Sequence, residues 1–152
     1  MNSNIENIPA GYVAHFRKSP LTEPWEPLFS KIENGTVSIG VRVRPPHCNG
    51  RGFVHGGLIC ALADNAMGLS VIETLNQEGA ERSRQGSTVN LAMDYLASAH
   101  PGQWLEFVPR VLKVGGSIAF VECKVLADGN SIARGNATFR VYQARAMDPN
   151  VA

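Results

Sequence analysis

The residues from Gly56 to Leu75 read GGLICALADNAMGLSVIETL and form the chain's only candidate for a long helix. Their apolar side chains lie nearly all round a helical projection, which is typical of a helix buried in a protein core. A membrane-spanning helix needs about 20 predominantly apolar residues without central charge, whereas Asp64, Asn65 and Glu73 interrupt this one. We therefore predict a core helix, and we expect no membrane partner.

Alternating apolar and polar residues flank this helix on both sides and predict antiparallel strands. Upstream, residues 28–44 alternate around an Asn34-Gly35 pair, which predicts a hairpin. Downstream, three segments alternate: residues 87–96, 104–114 and 118–142. A tight turn at Asp128-Gly129 divides the last of them. Two strands, one buried helix and about four more strands favour an α+β fold, in which a sheet of about six strands curls around the helix.

At 152 residues the chain is long enough for one domain with a real core and too short for two ordinary ones. We divide it into an N-terminal lead-in or lid segment at residues 1–27, a central domain at 28–143 and a C-terminal tail at 144–152. A short helical turn is predicted around Tyr12 to Phe16, and a polar loop from Asn76 to Gly86 follows the long helix.

The composition argues against several classes of protein. A net charge of +1 without a run of lysines or arginines gives no basic surface for nucleic acid. The first residues lack the pattern of a secretory signal, so we expect a cytoplasmic protein. Cys48, Cys60 and Cys123 show no CxxC spacing, and no histidine pair has ligand spacing, so neither disulfides nor a metal site is predicted. No cofactor is predicted either.

A glycine-rich loop leads directly into the helix, where residues 49–58 read NGRGFVHGGL. A helix N-terminus presents unpaired N–H groups and a partial positive charge, and Gly56 and Gly57 have no side chain to block access to them. This arrangement predicts a site for a polarised carbonyl oxygen. Asp64 follows at about 10 Å along the helix, a separation that calls for a bend or a partner subunit.

Structural roles could also explain each of these residues. The two glycines could allow close packing of the helix on the sheet, and Asn49 could be an ordinary turn residue. His55 could cap the helix. Asp64 could be satisfied by nearby hydroxyls, although a carboxylate in an apolar helix costs several kcal/mol unless it is paired. The residues alone therefore indicate a candidate site without naming its reaction.

The combined pattern Asn49-x5-His55-Gly56-Gly57-x6-Asp64, with Tyr95-Leu96 ending a later strand, resembles the PaaI-like acyl-CoA thioesterases of the hotdog-fold superfamily. The resemblance covers roughly residues 28–142. It implies the hotdog fold, an acyl-CoA substrate, and a homodimer whose sites are shared between subunits. A dimer of dimers, hence a homotetramer, is the assembly that we expect.

The resemblance also implies roles for individual residues. Asp64 would activate water or attack the thioester directly, and the N–H of Gly56 or Gly57 would polarise the carbonyl. Asn49 would contact the thioester or the water, and Thr88 would orient the water. His55 would lie near the leaving sulfur or brace the asparagine. CoA would bind near the turn Val114-Gly115-Gly116-Ser117, which is equally well explained as a plain hairpin turn.

Apolar side chains on the helix, the facing strand and the loop are candidate walls of an acyl pocket. They are Phe53, Leu58, Leu62, Met67, Leu91 and Met93. Each buried CH₂ contributes about 0.8 kcal/mol, so medium-chain or aryl acyl groups are expected over acetyl. None of these residues is charged, so malonyl and succinyl thioesters are expected to be poor substrates.

Two other functions stay open from the sequence. A hotdog hydratase or dehydratase acting on acyl thioesters pairs a catalytic histidine with a helix carboxylate, and His55 with Asp64 could serve in that way. A non-catalytic acyl-CoA sensor or carrier is the second alternative. Sensors of this kind usually carry a DNA-binding module, for which the chain has no basic helix.

Overall fold

One long helix and seven strands form the part of the chain that the computed structural model describes, residues 7–77 and 84–143. The elements are β1 (Val13–Ala14), β2 (Phe29–Glu33), β3 (Thr36–Arg42), α1 (Gly56–Gln77), β4 (Arg84–Tyr95), β5 (Trp104–Val114), β6 (Ile118–Ala127) and β7 (Asn130–Gln143). Short 3-10 turns lie at Glu23–Trp25 and Pro45–His47. The predicted tail at 144–152 lies outside the described residues, as do the first six residues and most of the predicted polar loop.

The strands form a single sheet in the order β1-β2-β3-β5-β6-β7-β4, with every neighbouring pair antiparallel. α1 contacts β3, β4, β5, β6 and β7, so the sheet curves around the helix. The predicted α+β architecture, a curved antiparallel sheet around one long helix, is confirmed. The two edge strands of this sheet are β1 and β4, and β1 raises the number of strands from about six to seven.

Local turn chemistry explains two of the hairpins. Asn34 and Gly35 both have positive φ angles, 50° and 77°, and they join β2 to β3. Asp128 and Gly129 do the same for β6 and β7, with φ angles of 48° and 82°. Asn, Asp and Gly are the residues that tolerate this conformation, and two such residues in succession match the twist of antiparallel strands. Both predicted hairpins are confirmed.

The lead-in segment forms a strand where a helical turn was predicted. β1 pairs with β2, and the adjacent Tyr12 ring packs edge-on against Trp104 at a centroid distance of 5.2 Å. The Tyr12 hydroxyl also donates to the Glu106 carboxylate at 2.5 Å. Because these contacts with β5 hold the segment extended, the predicted helical turn at Tyr12 to Phe16 is wrong.

α1 is buried on one face rather than all round. Side chains with no exposed surface include those of Leu62, Ala63, Ala66 and Met67. Its half-buried residues include Asp64, Asn65, Gly68 and Leu69. By length and composition α1 could cross a membrane, and half of its most apolar window is buried inside the fold. The partly open face leaves room for a site between the helix and the sheet edges.

Candidate active site

The centre of the site is a hydrogen-bonded pair formed by α1 and β4. Asp64 lies two turns into α1 and is half-buried. Thr88 on β4 donates its hydroxyl hydrogen to Asp64 Oδ1 at 2.7 Å. Within the described part of the chain, no side chain or amide donates to the second carboxylate oxygen. That oxygen is therefore available to a water molecule or a substrate.

A cavity of about 390 Å³ opens beside this pair. Its residues come from α1, from β4, from β7 and from the segment that follows β1. They are Arg17, Asp64, Asn65, Gly68, Leu69, Ile72, Arg84, Gln85, Gly86, Thr88 and Phe139. Since β1 and β4 are the two edge strands, the cavity lies in the gap that the curved sheet leaves over α1. Its volume falls in the range typical of small-molecule sites.

The first peptide groups of α1 are held by two side chains. His55 precedes the helix and accepts a hydrogen bond on Nδ1 from the Gly57 N–H at 2.9 Å. Tyr95, at the end of β4, donates its hydroxyl hydrogen to the Gly56 carbonyl at 2.7 Å. The peptide between the two glycines is thus fixed at both ends, and His55 carries its own hydrogen on Nε2.

Gly56 and Gly57, which the sequence analysis could not tell apart as donors, differ in whether their N–H groups are already hydrogen-bonded. The Gly57 N–H is used by His55, whereas the Gly56 N–H has no hydrogen-bond partner among residues 7–77 and 84–143. A Cβ atom on Gly56 would lie 3.3 Å from the Tyr95 ring, a tight contact, so a side chain here would disturb the tyrosine. Gly56 is therefore the better donor for a substrate oxygen.

Asn49 closes the loop that precedes α1. Its Oδ1 accepts hydrogen bonds from the Arg51 N–H at 2.9 Å and the Phe53 N–H at 3.2 Å. The amide nitrogen of the side chain makes no such bond within the described residues. Asn49 thus stabilises the turn, as one reading of the sequence predicted. Its side-chain NH₂ group remains available to contact the thioester or the water, the role that the resemblance implies.

The buried His47 holds the same loop in place through hydrogen bonds. His47 Nδ1 accepts from the Arg44 N–H at 2.9 Å, and its Nε2 lies 3.0 Å from the Trp25 carbonyl oxygen. Its own carbonyl accepts the His55 N–H at 2.9 Å. Burial lowers the pKa of His47 from its ordinary value, so the neutral imidazole that this pattern requires is favoured. The start of α1 is anchored to the N-terminal segment through His47.

Two protonated groups lie close to the site. Burial, and then the charge of Asp64, raises the pKa of the Cys60 thiol one turn before that carboxylate. Burial also raises the pKa of the Tyr95 hydroxyl, with a smaller contribution from Cys60. Tyr95 therefore stays a donor to Gly56 at neutral pH. Within the described residues no group of three or more His, Cys, Asp or Glu side chains could hold a metal ion.

The structure places most of the predicted pocket walls elsewhere. Leu58, Leu62 and Met67 are buried in the core between α1 and the sheet, because they lie on the helix face opposite the gap. Leu91 and Met93 are half-buried and pack against the same core. None of these five lines the cavity at Asp64, whose apolar wall consists of Leu69, Ile72 and Phe139.

Two further predicted regions also lie away from this cavity. Phe53 packs edge-on against His100 at a centroid distance of 5.0 Å in the loop before α1. The turn Val114-Gly115-Gly116-Ser117 joins β5 to β6, and its Gly115 N–H donates to the Ile118 carbonyl at 2.8 Å. Neither region lines the cavity. If Phe53 or the turn contacts a substrate, that substrate extends beyond this cavity or is held by another copy of the chain.

Several residues of the site had no sequence prediction. Arg17 and Arg84 line the cavity with Asp64, and Tyr95 supports the helix start. Tyr95 was noted only as the end of a strand. Arg17 and Arg84 lie 67 residues apart in the chain, on either side of Asp64. The local sequence around each arginine therefore does not indicate that it shares a cavity with Asp64. The two come together only when the sheet curves.

Comparisons with known proteins agree with the fold and identify the family. Residues 51–133 match the family model described as thioesterase superfamily. A Pseudomonas aeruginosa protein provisionally named an esterase is 30% identical over 136 residues, which cover 89% of this chain and 98% of that protein. Acyl-coenzyme A thioesterase 13 of Homo sapiens is 32% identical over 106 residues, covering 68% of this chain and 71% of that protein. The crystal structure of a Streptococcus mutans protein bound to acetyl-CoA superposes with a TM-score of 0.66 at 26% identity, covering 76% of this chain and 88% of that one.

Proposed function

The chain belongs to the thioesterase superfamily, and on that premise we propose that it hydrolyses acyl-CoA thioesters to the free acid and CoA. The observation that carries the proposal is the Asp64 carboxylate, held by the Thr88 hydroxyl at 2.7 Å beside an open cavity. A carboxylate oriented by one hydroxyl, with its second oxygen available, is suited to accept a proton from water.

The proposed reaction uses Asp64 and the start of α1 together. The carboxylate takes a proton from a water molecule whose oxygen bonds to the thioester carbonyl carbon, and the Gly56 N–H stabilises the oxyanion. The C–S bond then breaks, and the CoA thiolate takes up the proton from Asp64. His55 Nε2–H can donate to the departing sulfur. Direct attack by Asp64, giving an anhydride that water opens, is the variant of this reaction that the resemblance also implies.

The spacing of these groups supports a shared site. Gly56 and Asp64 of one chain are about 12 Å apart by helix rise, too far for one thioester carbonyl and its attacking water. We therefore propose that Asp64 of one subunit acts on a thioester held by Gly56 of another. β4 is a long edge strand whose Val89 side chain is 63% exposed, and a long unpaired edge of this kind is suited to pairing with a second chain.

We propose a homodimer as the active unit, assembled further as a dimer of dimers. Light scattering across a dilution series is the appropriate measurement, with activity assayed at the same concentrations. A monomer that keeps full activity at nanomolar concentration would contradict the shared site. A loss of activity that parallels dissociation is the result we expect.

The expected acyl groups are medium-chain or aryl, now because Leu69, Ile72 and Phe139 give the cavity an apolar wall. Hydratase chemistry is less well supported, since His55 Nδ1 already accepts the Gly57 N–H. A non-catalytic acyl-CoA-binding protein would not need an oriented carboxylate. Following free thiol and enoyl absorbance separately distinguishes these three functions.

Replacing Asp64 with Asn is the decisive test, because it removes the base or nucleophile while keeping the shape. Free CoA release should fall by about 10²- to 10⁴-fold, with folding and CoA binding largely intact. Asp94→Asn is the matched control, since it removes a carboxylate of β4 whose partner is the exposed Arg134. An Asp64→Asn variant with near wild-type turnover would overturn the proposed mechanism.

A further inference from the structure

Two arginines share the cavity with Asp64. Arg17 comes from the segment after β1 and Arg84 from the first position of β4. Asp64 is the one acidic side chain among the cavity's residues, so two fixed positive charges meet one negative charge there. Within the described ranges neither guanidinium forms an ion pair or a hydrogen bond with another side chain. Arginine remains charged at any physiological pH, so the described residues of the cavity carry a net positive charge.

We propose that Arg17 and Arg84 bind a carboxylate at the far end of the acyl group, so that the preferred substrates are ω-carboxyacyl thioesters of CoA. The proposal rests on the hydrolysis proposed above and names the substrate class of the same site. Arginine is the residue best suited to this role, because its planar guanidinium matches a carboxylate with two parallel hydrogen bonds.

Distances along β4 and α1 indicate the length of that acyl group. Thr88, which marks the reacting end, lies four residues from Arg84 and on the same face of the strand, about 13 Å away along β4. On α1, Asp64 and Ile72 delimit a similar length of about 12 Å. A substrate carboxylate at Arg84 is thereby kept away from the like charge of Asp64, and a chain of medium length is needed to reach it.

The floor and wall between the two ends suit a methylene chain. Leu69, Ile72 and Phe139 supply apolar surface. Gly68 keeps the α1 side of this space open, because a Cβ atom there would lie only 3.2 Å from the Phe139 ring. The cavity thus has the Asp64 carboxylate at one end, an apolar middle and Arg84 at the other end, with Arg17 as a second positive charge in its lining.

The two arginines in the cavity change which charged acyl groups are expected to be substrates. The sequence predicted poor hydrolysis of malonyl and succinyl thioesters because its candidate walls held no charged residue. The cavity does hold two arginines, and the short diacids are now disfavoured because they cannot span from Asp64 to Arg84. Longer diacids are expected to be favoured.

The test compares octanedioyl-CoA, as its mono-thioester, with octanoyl-CoA. In the wild type, kcat/KM should be higher for octanedioyl-CoA. Arg17→Gln and Arg84→Gln should each lower the ratio of the two kcat/KM values at least tenfold, while octanoyl-CoA hydrolysis changes little. Arg140→Gln is the matched control, because Arg140 is an exposed arginine of β7 that does not line the cavity.

Binding provides a readout that does not depend on turnover. Thioether analogues of CoA carrying an octyl or a 7-carboxyheptyl chain can be titrated calorimetrically into each folded variant. Selective loss of affinity for the carboxylated analogue supports the proposed carboxylate site. If that loss is seen but no thioester is hydrolysed, the carboxylate site stands and only the proposed hydrolysis is wrong. Equal losses for both analogues would assign the arginines to the CoA phosphates and overturn the proposal. An unchanged ratio in both variants would overturn it as well.

Discussion

The two faces of α1 are similar in sequence but differ in what surrounds them. Leu62 and Met67 on one face are fully buried against the sheet, while Leu69 and Ile72 on the other line the cavity beside Asp64. Both faces are rich in apolar residues, so hydrophobicity alone does not separate them. The difference arises because the curved sheet covers one face and ends at its β1 and β4 edges above the other. One face therefore stabilises the fold, and the other is free to serve a site.

The largest expected effect is on the stability of the buried face. Leu62→Ala should lower the free energy of unfolding by about 2–5 kcal/mol, because it leaves a cavity in a fully packed core. Leu69→Ala removes the same atoms from the half-buried face and should cost about 1 kcal/mol. Urea unfolding at one fixed protein concentration measures both. Equal losses would mean that the two faces are equally packed.

The next effect concerns the hydrogen bond between the open face and β4. Thr88→Val removes the donor to Asp64, and a hydrogen bond to a charged group contributes about 1.5–3 kcal/mol. If this bond persists in the transition state, kcat should fall by about 10- to 150-fold. Thr88→Ser should restore most of the rate. Because Thr88 is exposed, the urea midpoint should not change; full activity in the valine variant would separate Thr88 from the reaction.

The smallest effect is the pH dependence of stability that a buried histidine introduces. Burial lowers the pKa of His47 in the folded state, so below about pH 6.5 the unfolded chain binds more protons than the folded one. Stability is therefore complete above that pH and decreases as the pH falls through it, by at most about 1.4 kcal/mol per pH unit for each such group. Burial lowers the pKa of His15 in the same sense.

Urea unfolding at pH 7.5 and pH 5.5 measures this dependence. His47→Asn cannot titrate and should show a smaller difference between the two pH values than the wild type. A wild-type protein with the same urea midpoint at both pH values would contradict the assigned role of burial.

Much of the fold could be predicted because its signals are local. The Asn34-Gly35 and Asp128-Gly129 turns are determined by residues that tolerate positive φ, and the bounds of β5 follow directly from alternation. β1 could not be predicted in this way. Its position depends on Tyr12 meeting Trp104 and Glu106, which lie more than 90 residues away in the chain.

The candidate site likewise has some residues that the sequence identified and others that only the folded structure revealed. The resemblance implied that Thr88 orients the attacking water, and the structure brings its hydroxyl to the Asp64 carboxylate. The walls of the cavity were not predictable, since a helix that is apolar all round does not indicate which face the sheet will leave open. The roles proposed for Asp64, Gly56, Thr88, Asn49 and His55 in the reaction all stay predictions.

By itself, the sequence determined the order of the elements, the turns between them and the motif that begins α1, because each depends on neighbours within a few residues. Only the tertiary structure decided that the Tyr95 hydroxyl reaches the Gly56 carbonyl, because the two residues lie 39 positions apart in the chain. It likewise decided that Arg17 and Arg84 share a cavity with Asp64. Those outcomes depend on how far the sheet curves around the helix, a property of the packed core as a whole that no short stretch of residues encodes.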